Sequence, residues 1–149
     1  YDMKCEVPDE DYLIPFGQAA FTREGDDITL VSMSNMVLNC NQVADNLAKD
    51  GINADVIDLR TVSPIDEGAV LESVEVSGRL VIVDEASERC SMASEISSIV
   101  AEKAFGSLRA PIAKVTAPHT PVPFTPTLEK LYVPSVERIE QAARMTLEA

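Results

Sequence analysis

Two kinds of pattern alternate along the chain: short runs rich in β-branched residues, and longer runs in which apolar residues recur every three or four positions. The short runs predict strands, and the long runs predict amphipathic helices. The predicted strands lie at residues 19–24, 28–33, 53–61, 79–86 and 112–117. A helix is expected after each strand from the second onward, and this alternation is typical of a mainly parallel sheet between helical layers.

The ends of the predicted helices carry recognisable residues. The first helix is expected to end at Asp50-Gly51, because glycine accepts the left-handed conformation of a helix cap. Ser63-Pro64 predicts the start of the second helix, with a serine cap and a proline at the first helical position. The third helix is expected to begin near Ser91, and Ser135 is expected to cap the last one. Together the elements predict a three-layer α/β/α domain.

The composition is that of one domain with an acidic surface. The chain has 149 residues, of which 46% are hydrophobic, and this is enough to bury one core. Its 12 basic and 25 acidic residues give a formal net charge of −13. We therefore expect neither nucleic acid nor a membrane as a partner, and we regard basic proteins as the natural complement. The acidic start differs from a secretion signal, and no apolar run approaches the ~18 residues of a membrane span, so a cytoplasmic location is expected.

Common catalytic and metal-binding motifs are missing from the sequence. The six glycines form neither a GxGxxG nor a GxxxxGKS/T loop, and there is no GxSxG elbow. The single histidine, His119, allows neither a triad pair nor a histidine metal cluster. Cys5, Cys40 and Cys90 contain no CxxC pair, which favours reduced structural thiols over a disulfide framework or a zinc site.

Acidic residues at the ends of predicted strands suggest one binding function. Asp58, Asp84 and Glu85, together with Lys114, would meet at the carboxyl edge of the sheet, where α/β domains bind ligands. Such a cluster resembles the magnesium-holding phosphoacceptor site of receiver domains, and it predicts phosphorylation at Asp58 or Asp84. The order along the chain differs from that family, whose acidic pair lies on the first strand. Acids that hydrogen-bond to loop backbone are therefore the favoured interpretation.

The segment PHTPVPFTP, residues 118–126, places four prolines in nine positions around His119. Prolines hold the backbone near extended geometry, so the segment is predicted to be a stiff connection between the last strand and the last helix. The sequence beside His119 supplies no orienting partner for a catalytic base, which favours an interface loop over a catalytic loop. The residues expected at a subunit interface are His119, Pro121, Pro123, Phe124, Leu131 and Tyr132.

Several longer segments carry a family resemblance. In chain order they are EVPDEDYLIPFGQA, TREGDDITLV, INADVIDLRTVSPID, SGRLVIVDEA and APIAKVTAPHTPVPFTPTLEKLYVPSVERI. They resemble the C-terminal domain of the β subunit of thiamine-diphosphate-dependent 2-oxo acid dehydrogenases, and the resemblance covers practically the whole chain. The segments ERCSMASEI and PHTPVPFTPTLEKLYVPS are most similar to the acetoin dehydrogenase branch, whose pyruvate relatives more often carry an acid where His119 stands.

This resemblance implies a fold and a division into segments. The fold is that of a transketolase C-terminal domain, a five-stranded mixed sheet in which the first strand, within residues 19–24, runs antiparallel to the others. Residues 1–11 would be a linker from a missing N-terminal domain, and residues 12–149 would form the domain itself. Thiamine diphosphate and magnesium would lie between the α subunit and that N-terminal domain. The motif that binds the cofactor is absent here, so this part alone is expected to bind neither and to be inactive.

The resemblance also implies partners and a reaction. The domain would help to assemble a heterotetramer with the α subunit and a second β subunit, and it would bind the basic subunit-binding domain of a dihydrolipoyl acyltransferase. Arg109, Glu140 and Glu148 are the docking candidates, although pyruvate members often have an acid where Arg109 stands. The implied reaction is cleavage of acetoin with acyl transfer to a lipoyl group. The alternative parent is a pyruvate or branched-chain 2-oxo acid dehydrogenase, whereas the whole-chain match to the dehydrogenase pattern disfavours a transketolase or deoxyxylulose phosphate synthase.

Overall fold

The computed structural model describes residues 6–149, which form one sheet with helices on both faces. The strands are β1 (Ala20–Arg23), β2 (Ile28–Ser32), β3 (Ala54–Asp58), β4 (Leu80–Ser87) and β5 (Ala113–Ala117). The helices are α1 (Met36–Ala48), α2 (Glu67–Ser77), α3 (Met92–Lys103), α4 (Pro126–Tyr132) and α5 (Val136–Glu148). A short 3₁₀ turn, Phe105–Ser107, lies between α3 and β5.

The sheet is mixed, as the family resemblance predicted. Its strand order is β1-β3-β2-β4-β5, and only β1 runs antiparallel to its neighbour. In the centre, Leu30 of β2 lies between Val56 of β3 and Val81 of β4. At one edge, Ala20 of β1 pairs with Asp58. The antiparallel strand therefore enters the sheet at the carboxyl end of β3.

The core has one layer on each face of the sheet, because successive side chains of a strand point to opposite faces. On one face, Leu30 packs with residues of α1 and α5, among them Leu47 and Ile139. On the other face, Val31 packs with residues of α2 and α3. The interior strands are buried on both sides, which explains why their sequences are nearly continuous apolar runs.

Most predicted helix boundaries are confirmed. Gly51 adopts a positive φ of 77° just after α1. Ser91 precedes α3, and Ser135 caps α5, where its Oγ accepts a hydrogen bond from the backbone N–H of Arg138 at 3.3 Å. None of the helices formed by residues 6–149 has the length and apolarity needed to cross a membrane.

The predicted start of the second helix is wrong. Asp66, not Ser63, caps α2: its Oδ1 accepts from the backbone N–H of Ala69 at 3.1 Å, and its Oδ2 accepts from Ala19 N–H at 2.8 Å. Ser63 and Pro64 lie in the preceding loop, where Thr61 Oγ1 donates to the carbonyl oxygen of Pro64 at 2.9 Å. A carboxylate that satisfies two backbone donors is a stronger cap than the serine three residues earlier.

The connection between β5 and α5 also differs from the prediction. It contains the short helix α4, which begins with Pro126 at its first position. Proline is well suited to this position because its missing N–H would have no helical partner there. Before α4, the connection consists of residues 118–125, with bends at residues 119–120 and 124–125.

A buried polar network joins β2, β3 and α2. The carboxylate of Asp55 accepts hydrogen bonds from the backbone N–H of Gly25 at 2.7 Å and from the hydroxyl of Ser73. The Ser73 Oγ lies 2.7 Å from Thr29 Oγ1, which also lies 2.8 Å from Ser77 Oγ. Because each buried polar group has a partner, the network stabilises the packing of α2 on the sheet.

Candidate functional site

The strand-end acids stabilise loops and do not form a shared site. Asp84 is buried, and its two oxygens accept from the backbone N–H groups of Ala86 and Ala93 at 2.9 and 3.3 Å. Asp58 accepts from the backbone N–H of Arg60 at 3.1 Å. Because β2 separates β3 from β4, these two carboxylates stand on strands about 10 Å apart.

The remaining members of the proposed receiver-like cluster are also separate from it. Glu85 is exposed, and Lys114 donates to Ser94 Oγ at 3.2 Å and to the Glu88 carbonyl oxygen at 3.5 Å. Within residues 6–149, no group of three histidine, cysteine or acidic side chains is arranged to hold a metal ion. The observed contacts are those of acids bonded to loop backbone, which was the favoured interpretation.

The two described cysteines are free thiols with different environments. Cys40 is buried on α1, and burial raises the pKa of its thiol from 9.0 to about 12. A hydrogen bond with Ser32 lowers this pKa, but its effect is smaller. It is therefore protonated at neutral pH and is not a nucleophile. Cys90 is exposed, whereas Cys5 lies outside the described residues.

The first candidate surface is residues 118–132, which we call the proline strip. His119, Pro121, Phe124 and Leu131 are exposed, and no residue of α4 is buried. The phenyl ring of Phe124 is as open as in an extended peptide, at 101% relative exposure. Pro123 and Tyr132 are half-buried, and the Tyr132 hydroxyl donates to the Thr120 carbonyl oxygen at 3.4 Å. The strip is thus an ordered apolar surface that the domain itself does not cover.

The second candidate surface lies at the amino edge of the sheet. The backbone N–H of Arg109 donates to the Gly78 carbonyl oxygen at 2.7 Å, and its side chain lies over this glycine. A shallow groove beside Arg109 is lined by Phe105, Pro111 and Ile112. Pro111 and Ile112 also line a second groove with the last turn of α5. Arg109 and the end of α5 therefore belong to one surface, which we call the amino-edge surface.

The two acidic docking candidates on α5 differ in how they are held. Glu140 accepts from Arg144 Nε at 3.0 Å and from Asn46 Nδ2 at 2.9 Å. The hydrogen bond from the Arg144 guanidinium lowers the pKa of the Glu140 carboxyl, and the hydrogen bond from Asn46 has a smaller effect in the same direction. Arg144 also donates to Asp50 at 2.7 Å, so these side chains connect α5 to the end of α1. Glu148 is exposed in the last turn.

Comparison with known proteins agrees with the fold. Residues 17–139 match the family described as "Transketolase, C-terminal domain". The chain belongs to this family. The match spans every strand and four of the five helices in full, and it ends within α5.

Individual proteins are also similar to the chain. It is 54% identical over 147 residues to the β subunit of acetoin:2,6-dichlorophenolindophenol oxidoreductase of Cupriavidus necator, covering 99% of this chain and 44% of that protein. It is 44% identical to the pyruvate dehydrogenase E1 β subunit of Staphylococcus epidermidis, covering 96% of this chain and 44% of that protein. Among solved structures, a split-gene transketolase described as an inactive β4 tetramer has a TM-score of 0.81 at 25% identity, covering 96% of this chain and 45% of that one. The chain thus spans less than half the length of these relatives.

Proposed function

We propose that the chain is the C-terminal domain of the β subunit of an acetoin dehydrogenase, in which it serves assembly and docking. The observation that carries the proposal is the 54% identity to an acetoin oxidoreductase β subunit over 99% of the chain. The similarity to the pyruvate dehydrogenase β subunit is lower, at 44%. Residues 1–11 would connect the domain to a preceding N-terminal domain, since the relatives are more than twice as long.

A noncatalytic role for the domain is supported by the state of its reactive groups. Asp58 and Asp84 are bonded to loop backbone, and the Cys40 thiol is protonated. Within residues 6–149, no group of three histidine, cysteine or acidic side chains is arranged to hold the magnesium that accompanies thiamine diphosphate. We infer that the parent enzyme binds them elsewhere, between its α subunit and the preceding β domain, where the cofactor supplies the carbanion that cleaves acetoin.

The two candidate surfaces are assigned to different partners in this proposal. The proline strip, with His119, Pro121, Pro123, Phe124, Leu131 and Tyr132, would lie at a boundary with another domain or subunit of the heterotetramer. Arg109 and Glu148 of the amino-edge surface, together with Glu140 in the first half of α5, would receive the basic subunit-binding domain of the dihydrolipoyl acyltransferase. Of the two acids, Glu148 is better suited to an intermolecular ion pair, because Glu140 already accepts hydrogen bonds from Arg144 and Asn46. The net charge of −13 favours a basic partner through faster association.

The proposal is tested by dye reduction with the complete β subunit, coexpressed with its α subunit and supplied with thiamine diphosphate and magnesium. We expect acetoin to be turned over at least about tenfold more efficiently than pyruvate. A preference for pyruvate or for a branched-chain 2-oxo acid would support the alternative parent enzyme, and reduction with none of these substrates would contradict both.

A substitution in the same assay tests the noncatalytic role of the proline strip. His119→Ala should reduce turnover by no more than a few-fold, because the imidazole is exposed and its neighbours in the chain, Pro118 and Thr120, include no charged partner for a catalytic base. Size-exclusion chromatography of the variant enzyme serves as the control for assembly. Loss of turnover in a correctly assembled enzyme would make His119 a catalytic residue and contradict the assignment.

A further inference from the structure

Two segments that are far apart in sequence meet at the carboxyl edge of the sheet. Because Ala20 pairs with Asp58, the residues before β1 approach the sheet at the carboxyl end of β3. Because Ala117 pairs with Ser87, the proline strip leaves from the same edge on the side of β5. The loops after β2, β3 and β4 lie between these segments. We call this side of the domain the carboxyl face.

The carboxyl face carries most of the large apolar side chains that the domain leaves exposed. Leu13 and Phe16 precede β1 and are 95% and 86% exposed, and Val62 follows β3. On the β5 side, Leu131 is 73% exposed and Phe124 is fully open. Further exposed apolar residues of this face are Tyr12, Ile14, Leu38, Val122 and Leu128. A concentration of apolar side chains on one side marks an interaction surface, whereas single exposed residues do not.

A groove lies in the middle of the carboxyl face. It has a volume of about 990 Å³, and its lining includes Met33, Pro64, Ile65, Ala86 and Met92. These residues come from the loops after β2 and β3, from the end of β4 and from the start of α3. Five strands at a spacing of about 4.8 Å make the face roughly 20 Å wide, which is the scale of a protein interface. Glu67 and Glu95 also line the groove, so it offers a covering surface both apolar contact and carboxylates.

The segment before β1 is held in place although its side chains project outward. The backbone N–H of Gly17 donates to Thr61 Oγ1 at 2.9 Å, and the N–H of Ala19 donates to Asp66 Oδ2 at 2.8 Å. Gly17 also lies so close to Pro64 that an added Cβ would be 3.0 Å from its Cγ. The backbone next to Phe16 is therefore already ordered. A surface that is ordered in advance loses little conformational entropy on binding.

Charges around the carboxyl face restrict what can cover it. Its exposed acids are Glu85, Glu88 and Glu129, and the segment that leads into it carries Glu6, Asp9, Glu10 and Asp11. Its basic residues are fewer: Arg60 lies 4.0 Å from Asp58, Arg89 lies 3.8 Å from Glu88, and Lys130 follows Glu129 on α4. The complementary surface is apolar at its centre and basic at its rim. Pairing with a second copy of this face would instead bring two acidic rims together, which is electrostatically unfavourable.

We propose that the carboxyl face packs against the domain that precedes this chain in the parent polypeptide, through an apolar surface with a basic rim. This inference rests on the proposed function, which supplies that domain. The residues from Tyr12 to Phe16 lie next to the connection, so packing within one polypeptide has the advantage of a high effective concentration. The carboxyl face and the amino-edge surface then serve opposite purposes: one joins the domain to its own chain, and the other stays open for docking.

Hydroxyl-radical footprinting of the complete β subunit, read by mass spectrometry, tests this proposal. Phe16 and Phe124 report on the carboxyl face, and Phe105, which is 74% exposed at the amino edge, is a control of the same chemical type. In the β subunit alone, we expect both reporters to be oxidised about fivefold more slowly than Phe105, because an interface core excludes water. Equal rates would overturn the proposal. Protection that appears only with the α subunit, or only at high β concentration, would assign the face to another chain and would also overturn it.

A substitution pair supplies an independent readout. Phe124→Asp in the complete β subunit should weaken the domain contact and expose the acidic stretch before Tyr12, so that a Glu-specific protease cleaves at Glu6 or Glu10 about tenfold faster. Phe105→Asp should leave the cleavage rate unchanged. Both side chains are exposed in the domain, so neither change disturbs its core. Equal cleavage of the two variants would contradict the inference. Neither experiment uses acetoin, so an enzyme that prefers pyruvate leaves the inference intact.

Discussion

At the scale of single residues, a few hydroxyl groups decide how a buried charge is tolerated. Asp55 is only 7% exposed, and the described donors to its carboxylate are the Ser73 hydroxyl and the Gly25 N–H. A buried carboxylate requires such donors because it has lost its hydration. Ser73 and Ser77 lie four residues apart on the same side of α2, a spacing that the sequence shows but that does not by itself point to Asp55.

Replacing Ser73 tests this network. Ser73→Ala should lower the free energy of unfolding of the domain by about 1–3 kcal/mol, because one oxygen of Asp55 is left buried without its donor. Ser98→Ala is a matched control, since Ser98 is exposed on α3, and its effect should stay within about 0.5 kcal/mol. Urea denaturation of both proteins measures the difference. Similar midpoints would mean that Asp55 does not depend on Ser73.

At the scale of secondary structure elements, close backbone contact fixes the turn between β1 and β2. A Cβ added to Gly25 would lie 2.5 Å from the carbonyl carbon of Asn53 and 2.6 Å from the backbone nitrogen of Ala54. The same turn is tied to β3 by the hydrogen bond between Asp27 N–H and the Asn53 carbonyl oxygen at 3.0 Å. The segments that lead into β2 and β3 are therefore in direct backbone contact.

Gly25→Ala should be strongly destabilising for this reason. The methyl group meets backbone atoms, which cannot rotate away as a side chain can, so we expect a loss of about 3 kcal/mol. Gly106→Ala is the control, because nothing lies within 4 Å of its added Cβ, and it should be nearly neutral. Thermal unfolding of the two variants compares them. If Gly25→Ala unfolds at the same temperature as Gly106→Ala, the close approach is not a constraint in solution.

At the scale of the whole molecule, charge opposes stability. The ion pairs of the described residues, such as Arg23 with Asp45 and Lys103 with Glu67, lie at the exposed surface. Exposed pairs contribute little, whereas a net charge of −13 on a small domain is a source of repulsion throughout the fold.

Salt should therefore stabilise the domain. Raising the NaCl concentration from low to about 0.5 M should raise the melting temperature, because screening weakens the repulsion more than it weakens the few ion pairs. The double variant Glu72→Lys/Glu75→Lys, which changes two exposed residues of α2, should melt at a higher temperature than the natural domain in low salt and at a similar one in high salt. A melting temperature that falls on adding NaCl would show that the ion pairs dominate.

The predicted elements and the observed ones agree wherever the signal was local. The five strands and the ends of α1, α3 and α5 depend on runs of apolar residues and on cap residues such as Ser135, all of which act within a few positions. The start of α2 was misplaced because the choice between Ser63 and Asp66 depends on Ala19, whose N–H also needs the Asp66 carboxylate. The helix α4 is not predicted by the sequence pattern because it is short and prolines precede it closely, although Pro126 is a regular first helical residue.

The site residues show the same division. Residues of the proline strip were selected by composition, and the structure shows most of them exposed, but their role at an interface stays a prediction. The carboxyl face was not expected, because Phe16 and Phe124 are more than a hundred positions apart in the chain. Only the direction of β1 and the position of β5 bring their segments to one edge of the sheet.

The amino-acid sequence by itself determined the alternation of strands and helices, the two buried faces of the sheet and the acidic surface, because these depend on local periodicity and on the count of charges. Its resemblance to the family supplied the antiparallel first strand. The tertiary structure decided which acids bond to loops, which hydroxyls satisfy Asp55 and which apolar residues stay exposed on one side. The physical reason is that desolvation and hydrogen bonding act between groups that are neighbours in space, and the order of the strands decides which groups those are.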